Sequence, residues 1–264
     1  SLIFFIISFF SFFINEKLKN YFLYLIFCIL IPIYSTEIYL DLKKKKINIK
    51  NIKKIEEKRA LIYKKKYLQE FDNRNRYEVY DDLYKSNKKI SLFVKPNKFL
   101  NGNNKIYPLS GISYSKTIFC NQGGFYSIYE SDRYGFNNPD IEWESNEIEY
   151  LLVGDSFVHG ACVNRPDDMG SKLRLLSQKN VLNLGYYGNG PLIEYAVLRE
   201  YLNTNVKKII WFYFEGNDLI NLKSELKNKI LIQYYKDQFF SQNLKVKQKQ
   251  IDNLGFLKIK EERI

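Results

Sequence analysis

Three short stretches of the sequence hold groups that together suit acyl transfer: Gly154-Asp155-Ser156-Phe157, Gly185-Tyr186-Tyr187-Gly188-Asn189-Gly190 and Glu215-Gly216-Asn217-Asp218. A serine placed where a strand turns into a helix exposes its hydroxyl and aims its own N–H at the same point, near the positive end of a helix. A glycine lets a second backbone N–H approach a substrate, and an asparagine amide adds a third donor. Ser156, Gly188 and Asn217 are therefore the candidate catalytic residues, Ser156 as nucleophile and all three as donors to the oxyanion of a tetrahedral intermediate. Asp155 reads as a turn and supporting carboxylate rather than a general base. His159, the single histidine, lies three residues past Ser156, too close in the chain to present its ring to that hydroxyl, and reads as a pocket-lining group.

These stretches need elements that bring them to one place. Ile148 to Val153 reads as a strand running into Gly154, and a helix follows from Asp167 to Ser177. Val181 to Leu184 is a second strand, Pro191 opens a helix reaching Tyr201, and Lys208 to Phe214 is a third strand. Strands separated by helices of this length imply parallel pairing and a doubly wound α/β sheet. In such a sheet the three turns emerge on the same edge, where sites form.

Gly154-Asp155-Ser156-Phe157, Asn183-Leu184-Gly185-Tyr186-Tyr187-Gly188 and Gly216-Asn217-Asp218 resemble, in order and spacing, the first three sequence blocks of SGNH (GDSL-like) hydrolases. Asp132-Arg133-Tyr134-Gly135-Phe136-Asn137-Asn138-Pro139 also resembles the lead-in to the serine strand in membrane-linked bacterial members. The resemblance covers roughly residues 115 to 220. It implies a flavodoxin-like sheet, and a serine hydrolase or O-acyltransferase working on acyl or acetyl esters of a glycan or lipid through an acyl-Ser156 intermediate. That chemistry uses no cofactor. The family's fourth block, an Asp and a His three residues apart that orient and act as base, has no counterpart: the chain contains no Asp-x-x-His. A serine without a base is a poor nucleophile. The expectation is a chain that stops before its base, since it also opens without Met, and Lys223 to Ile264 reads as charged helix and loop with no closing strands. The alternative is a non-catalytic SGNH-like domain that binds a glycan or acts as a scaffold.

Two other motifs do not fit. An α/β-hydrolase elbow needs glycine where Val158 stands, and Gly185, Gly188 and Gly190 have the wrong gaps for a dinucleotide loop.

Around this domain the chain is organised by charge and hydropathy. Residues 1 to 14 are almost wholly apolar, and a second apolar run extends from Tyr21 to Tyr34. With lysines at 17, 19 and 43 to 46, the two predict a membrane anchor of one or two helices over residues 1–41. The lysines flank the second run on both sides and leave sidedness open, but the expected placement of the catalytic domain is extracytoplasmic, on the periplasmic side. Residues 42–89 read as a basic helical stalk, and 90–264 as the α/β domain, entered through short strands and turns between 90 and 140.

The formal charge of +12 comes mostly from Lys43 to Lys66, where twelve Lys or Arg face two acids. Because that excess sits in the stalk, the expected partners are the membrane and an acylated carbohydrate or lipid, and no nucleic acid. The three cysteines form no CxxC pair, so no metal site is expected. Cys120 and Cys162 could pair in an oxidising compartment, with two buried free thiols as the simpler reading.

Overall fold

The computed structural model describes residues 15–263 except 103, and for 44–53 and 56 the backbone alone. The first apolar run, 1 to 14, lies outside the described residues. The chain divides into two compact units, residues 1–68 and 69–264.

In the first unit one helix, α1, runs over Glu16–Tyr67. It starts because the Asn15 side chain accepts the Leu18 N–H at 2.9 Å, and it ends where Leu68 turns left-handed. Glu16–Lys43 is long and apolar enough to cross a membrane. Phe22, Leu25 and Ile31 are each about half exposed or more, so the apolar stretch has no protein core of its own to enter. Past Lys43 the same helix continues through the basic segment.

The second unit opens with α2 (Arg76–Ser86), which is started by a capping box. Asn75 accepts the N–H groups of Tyr77 and Glu78, and the Glu78 carboxylate accepts the Asn75 N–H at 2.7 Å. A small sheet follows, β1 (Ile90–Leu92), β2 (Lys116–Ile118) and β3 (Ile128–Glu130), with β1 parallel and β3 antiparallel to β2. The second sheet has the order β5–β4–β6 and is all parallel, built from β4 (Ile148–Val153), β5 (Val181–Asn183) and β6 (Val206–Trp211). Its helices are α3 (Ser156–His159), α4 (Met169–Ser177), α5 (Pro191–Tyr201) and α6 (Asp218–Glu225).

Side-chain alternation along β4 explains why the sheet is covered on two sides. Leu152 packs with Val158, Met169 and Leu173 on the α4 side, whereas Leu151 and Val153 join Leu182, Ile193, Ala196 and Val197 on the α5 side. The chain moves from β4 to β5 on one flank and then crosses to β6 on the other. The carboxyl end of β4 is thus the place where strand order reverses.

Four boundaries differ from the sequence expectation: the third strand starts at Val206 rather than Lys208, and at the other three a side chain captures a backbone group. The third strand ends at Trp211 rather than Phe214, since the Asp218 carboxylate takes the Phe214 N–H at 2.6 Å and folds 212–218 into a turn. The helix expected from Asp167 begins at Met169, with Asp168 as its cap. The strand expected to reach Leu184 ends at Asn183, and the Asn183 side chain accepts the Gly185 N–H.

The tail is helix and loop without strands, as expected: α7 (Leu231–Lys236), α8 (Gln248–Glu261) and the segment between them put Leu231, Tyr234, Leu244, Ile251 and Ile259 into the core. The Glu200 carboxylate at the end of α5 holds the connecting segment, accepting from the Tyr234 hydroxyl, the Ser241 hydroxyl, and the Gln242 and Leu244 N–H groups. Cys120 and Cys162 are joined as a disulfide, so the free-thiol reading is corrected for both. A disulfide together with an apolar N-terminal helix fits a secreted or extracytoplasmic domain.

Candidate active site

Ser156 is the first residue of α3, directly beyond the turn that ends β4. The Asp155 side chain caps this turn by accepting the Phe157 N–H at 3.1 Å, and the Asp155 carbonyl accepts the His159 N–H. These bonds hold Ser156 half-buried at the sheet edge, with neither its hydroxyl nor its N–H bonded to any described residue. Because α3 is a single turn, the helix dipole expected behind Ser156 is small, and the N–H itself is the useful donor.

The turn after β5 shows the same selectivity more sharply. Leu184, Gly185, Tyr186, Tyr187, Asn189 and Gly190 all commit their N–H groups: to the Leu152 carbonyl, the Asn183 side chain, the Gly154 carbonyl, the His159 ring, the Tyr186 carbonyl and the Glu225 carboxylate, respectively. Gly188 alone in that run donates to no described residue. Its φ of +90° explains the glycine, since a side chain there would be strained.

Asn217 precedes α6, in the turn after β6. Its N–H donates to the Phe214 carbonyl and its carbonyl accepts from Asn221 N–H, which fixes the backbone. The side-chain oxygen is buried without a partner, and the amide nitrogen bonds no described residue.

Side-chain contacts join the three turns in pairs. The Phe157 and Phe214 rings meet edge-on at 5.4 Å, connecting the turns after β4 and β6. The His159 Nδ1 accepts the Tyr187 N–H at 3.0 Å, connecting those after β4 and β5. The Asn221 side chain reaches the Asn189 carbonyl at 3.5 Å, and a β carbon at Gly190 would fall 2.5 Å from that of Asn221. Ser156, Gly188 and Asn217 therefore stand on interlocked turns at one edge of a parallel sheet.

His159 is fully buried in an aromatic cage, stacked on Phe119 at 4.4 Å with Phe93, Tyr129 and Tyr186 around it. Since Nδ1 accepts a backbone N–H, the proton of the neutral ring sits on Nε2, which is buried without a partner among the described residues. Loss of hydration pushes its pKa down to about 3. A ring so placed locks the turns and does not serve as base for Ser156.

Sequence reasoning missed a group of carboxyls behind this edge. Glu194 on α5 is fully buried; Trp211 Nε1 donates to its Oε2 at 2.6 Å, and Oε1 has no partner among the described residues. Burial, opposed by the Trp211 bond and reinforced by the charges of Asp218, Asp155 and Glu225, raises its pKa to about 8. Glu225 caps α5 by accepting from Gly190, Leu192 and Ile193, and burial raises it to about 7. Burial also raises Asp218. A glutamate in the first turn of a helix looks like an ordinary complement to its dipole, so nothing local in the sequence signals the role of Glu194. Among the described residues no three of His, Cys, Asp or Glu are grouped to hold a metal ion. A separate cavity of about 680 Å³, lined in part by Lys89, Tyr114, Asn138 and Arg165, includes none of Ser156, Gly188 and Asn217.

The chain matches no family model, no curated protein and no solved structure.

Proposed function

We propose that this protein is a membrane-anchored SGNH-type serine esterase or O-acyltransferase with a flavodoxin-like, doubly wound sheet, acting outside the cytoplasm on acyl or acetyl esters of a glycan or lipid. Ser156 Oγ attacks the ester carbonyl carbon and gives its proton to a base. The resulting oxyanion receives hydrogen bonds from the Ser156 N–H, the Gly188 N–H and the Asn217 side-chain amide. Collapse of this intermediate breaks the bond to the alcohol, which leaves with a proton, and acyl-Ser156 remains. Water, or the hydroxyl of an acceptor, then attacks the acyl group and restores Ser156. The proposal requires a base for Ser156 other than His159, the single histidine of the sequence, which is caged.

One observation carries this reading: within a run of committed N–H groups the donor left free is that of Gly188, and the Ser156 N–H and the Asn217 amide nitrogen on the two adjoining turns are free as well. Preorganised donors of this kind supply on the order of 3 kcal/mol each to a transition state. The disulfide and the apolar helix support the extracytoplasmic placement and the anchor. The test is labelling of the full-length protein with a serine-directed fluorophosphonate. Tagging at Ser156 that disappears in Ser156→Ala is expected. A wild-type protein left untagged, beside a control hydrolase that reacts, overturns the proposal.

A second reading, a non-catalytic glycan-binding or scaffold domain, draws on His159 being caged and neutral, so that Ser156 has no base among the described residues. Glycan binding without Ser156 labelling would favour it.

A further inference from the structure

The loop after β1 places a cation against the turn that carries Gly188. Phe93, Val94 and Pro96 are buried, and the Pro96 carbonyl accepts the Tyr107 hydroxyl at 2.7 Å, so the backbone on both sides of Lys95 is fixed. Lys95 is half-buried. Its Nζ lies 4.3 Å from the centroid of the Tyr187 ring, and no described carboxylate lies within ion-pairing distance of it. A β carbon built on Gly188 would sit 3.4 Å from Lys95 Cδ and 3.4 Å from Asn97 Nδ2. Lys95 Nζ, Asn97 Nδ2 and the Gly188 N–H thus form a set of donors with no acceptor of their own among the described residues.

The carboxyl groups of Asp155 and Asp218, elsewhere along this edge, are buried. The sheet order β5–β4–β6 puts Gly188 and Lys95 at the β5 end, and Asp218 at the β6 end, with Asp155 on the central turn. Glu194 and Glu225 lie behind, and their raised pKa values reduce their negative charge near neutral pH. A substrate crossing this edge meets a cation at its β5 end. The Lys95 ammonium, without a counter-ion among the described residues, can receive an anion, and the Tyr187 face beside it keeps it in place without neutralising it.

Resting on the esterase reading, we propose that Lys95, with Asn97, is the specificity-determining anchor for a negatively charged group on the ester substrate, so that the preferred substrates are acylated anionic carbohydrates, bearing carboxylate or phosphate, rather than neutral ones. Lys95 acts on binding and takes no part in bond-making.

The experiment measures binding to the full-length protein of three acetylated oligosaccharides of equal length: an oligogalacturonide, a phosphate-bearing oligomer and a neutral glucoside. Tighter binding of one or both anionic probes than of the neutral one is expected, and the stronger of the two identifies the anion. Lys95→Gln should weaken anionic binding about tenfold and leave neutral binding unchanged, while Lys95→Arg retains most of it. Labelling of Ser156 by a neutral fluorophosphonate in Lys95→Gln should match wild type, which shows that the fold and the serine are intact. Equal affinity for anionic and neutral probes, or equal weakening of both in Lys95→Gln, overturns the inference. Wild-type protein that goes unlabelled but keeps Lys95-dependent anion binding overturns the esterase reading alone.

Discussion

Replacing Glu194 by glutamine should make the protein less sensitive to alkaline pH, and the size of the effect follows from where the carboxyl sits. Glu194 is fully buried with one oxygen bonded to Trp211 Nε1 and the other without a partner among the described residues, and its pKa is raised from 4.5 to about 8. The folded state therefore holds a proton that the unfolded state has already lost. Between pH 4.5 and 8 the unfolded chain binds fewer protons, so stability falls as pH rises through that window. At 1.36 kcal/mol for each unit separating 4.5 from about 8, the loss by pH 9 is on the order of 5 kcal/mol. Glutamine keeps the shape, offers Trp211 the same acceptor and never ionises. Guanidinium unfolding of wild type and Glu194→Gln at pH 5 and pH 9 measures the difference, with every other titrating group common to both. Near-equal stability at pH 5 and an advantage of several kcal/mol for Glu194→Gln at pH 9 are expected. Trp211 fluorescence should titrate near pH 8 in wild type and not in the variant. A stability difference that stays constant within about 0.5 kcal/mol across this range would refute the assignment of a buried, protonated Glu194.

His159, lowered to about 3 by burial, should remain neutral in the native protein across pH 5 to 8, with imidazole NMR shifts that do not move. Its contribution runs opposite to that of Glu194: stability is fully present above pH 6.5 and is lost as pH falls toward 3, because the unfolded chain takes up the proton first. A ring that titrates near 6.5 would show the cage to be open. Glu200→Ala removes the acceptor shared by four donors of the tail, leaves those groups unsatisfied, and should cost about 2–4 kcal/mol in stability. The tail should then be cut first in limited proteolysis, and an unchanged cleavage pattern would contradict the anchoring role of Glu200.

Local signals were enough to read the parallel sheet and that Ser156, Gly188 and Asn217 follow the ends of its strands, because an apolar run followed by a glycine-rich turn marks the end of a strand wherever the rest of the chain goes. Strand and helix limits were less legible. Asp218, Asp168 and Asn183 each capture a nearby N–H, and such captures depend on side-chain direction rather than on hydropathy. The helix-and-loop character of the tail was legible, but its lysines hide which residues, Leu231, Leu244, Ile251 and Ile259, face inward. The disulfide and the Lys95 contact join segments 42 and 93 residues apart in the chain, and no local pattern reports that proximity. Glu194 escaped notice because its partner, Trp211, lies on a different element.

A structure of the full-length protein after reaction with a fluorophosphonate bears most directly on the arrangement of the three free donors. The adduct should be on Ser156 Oγ, with one phosphonyl oxygen about 2.7–3.1 Å from the Ser156 N, the Gly188 N and the Asn217 amide nitrogen together. An adduct on Ser156 whose oxygen is held by other groups, or a Gly188 N–H and Asn217 side chain directed away from it, would contradict a shared oxyanion site.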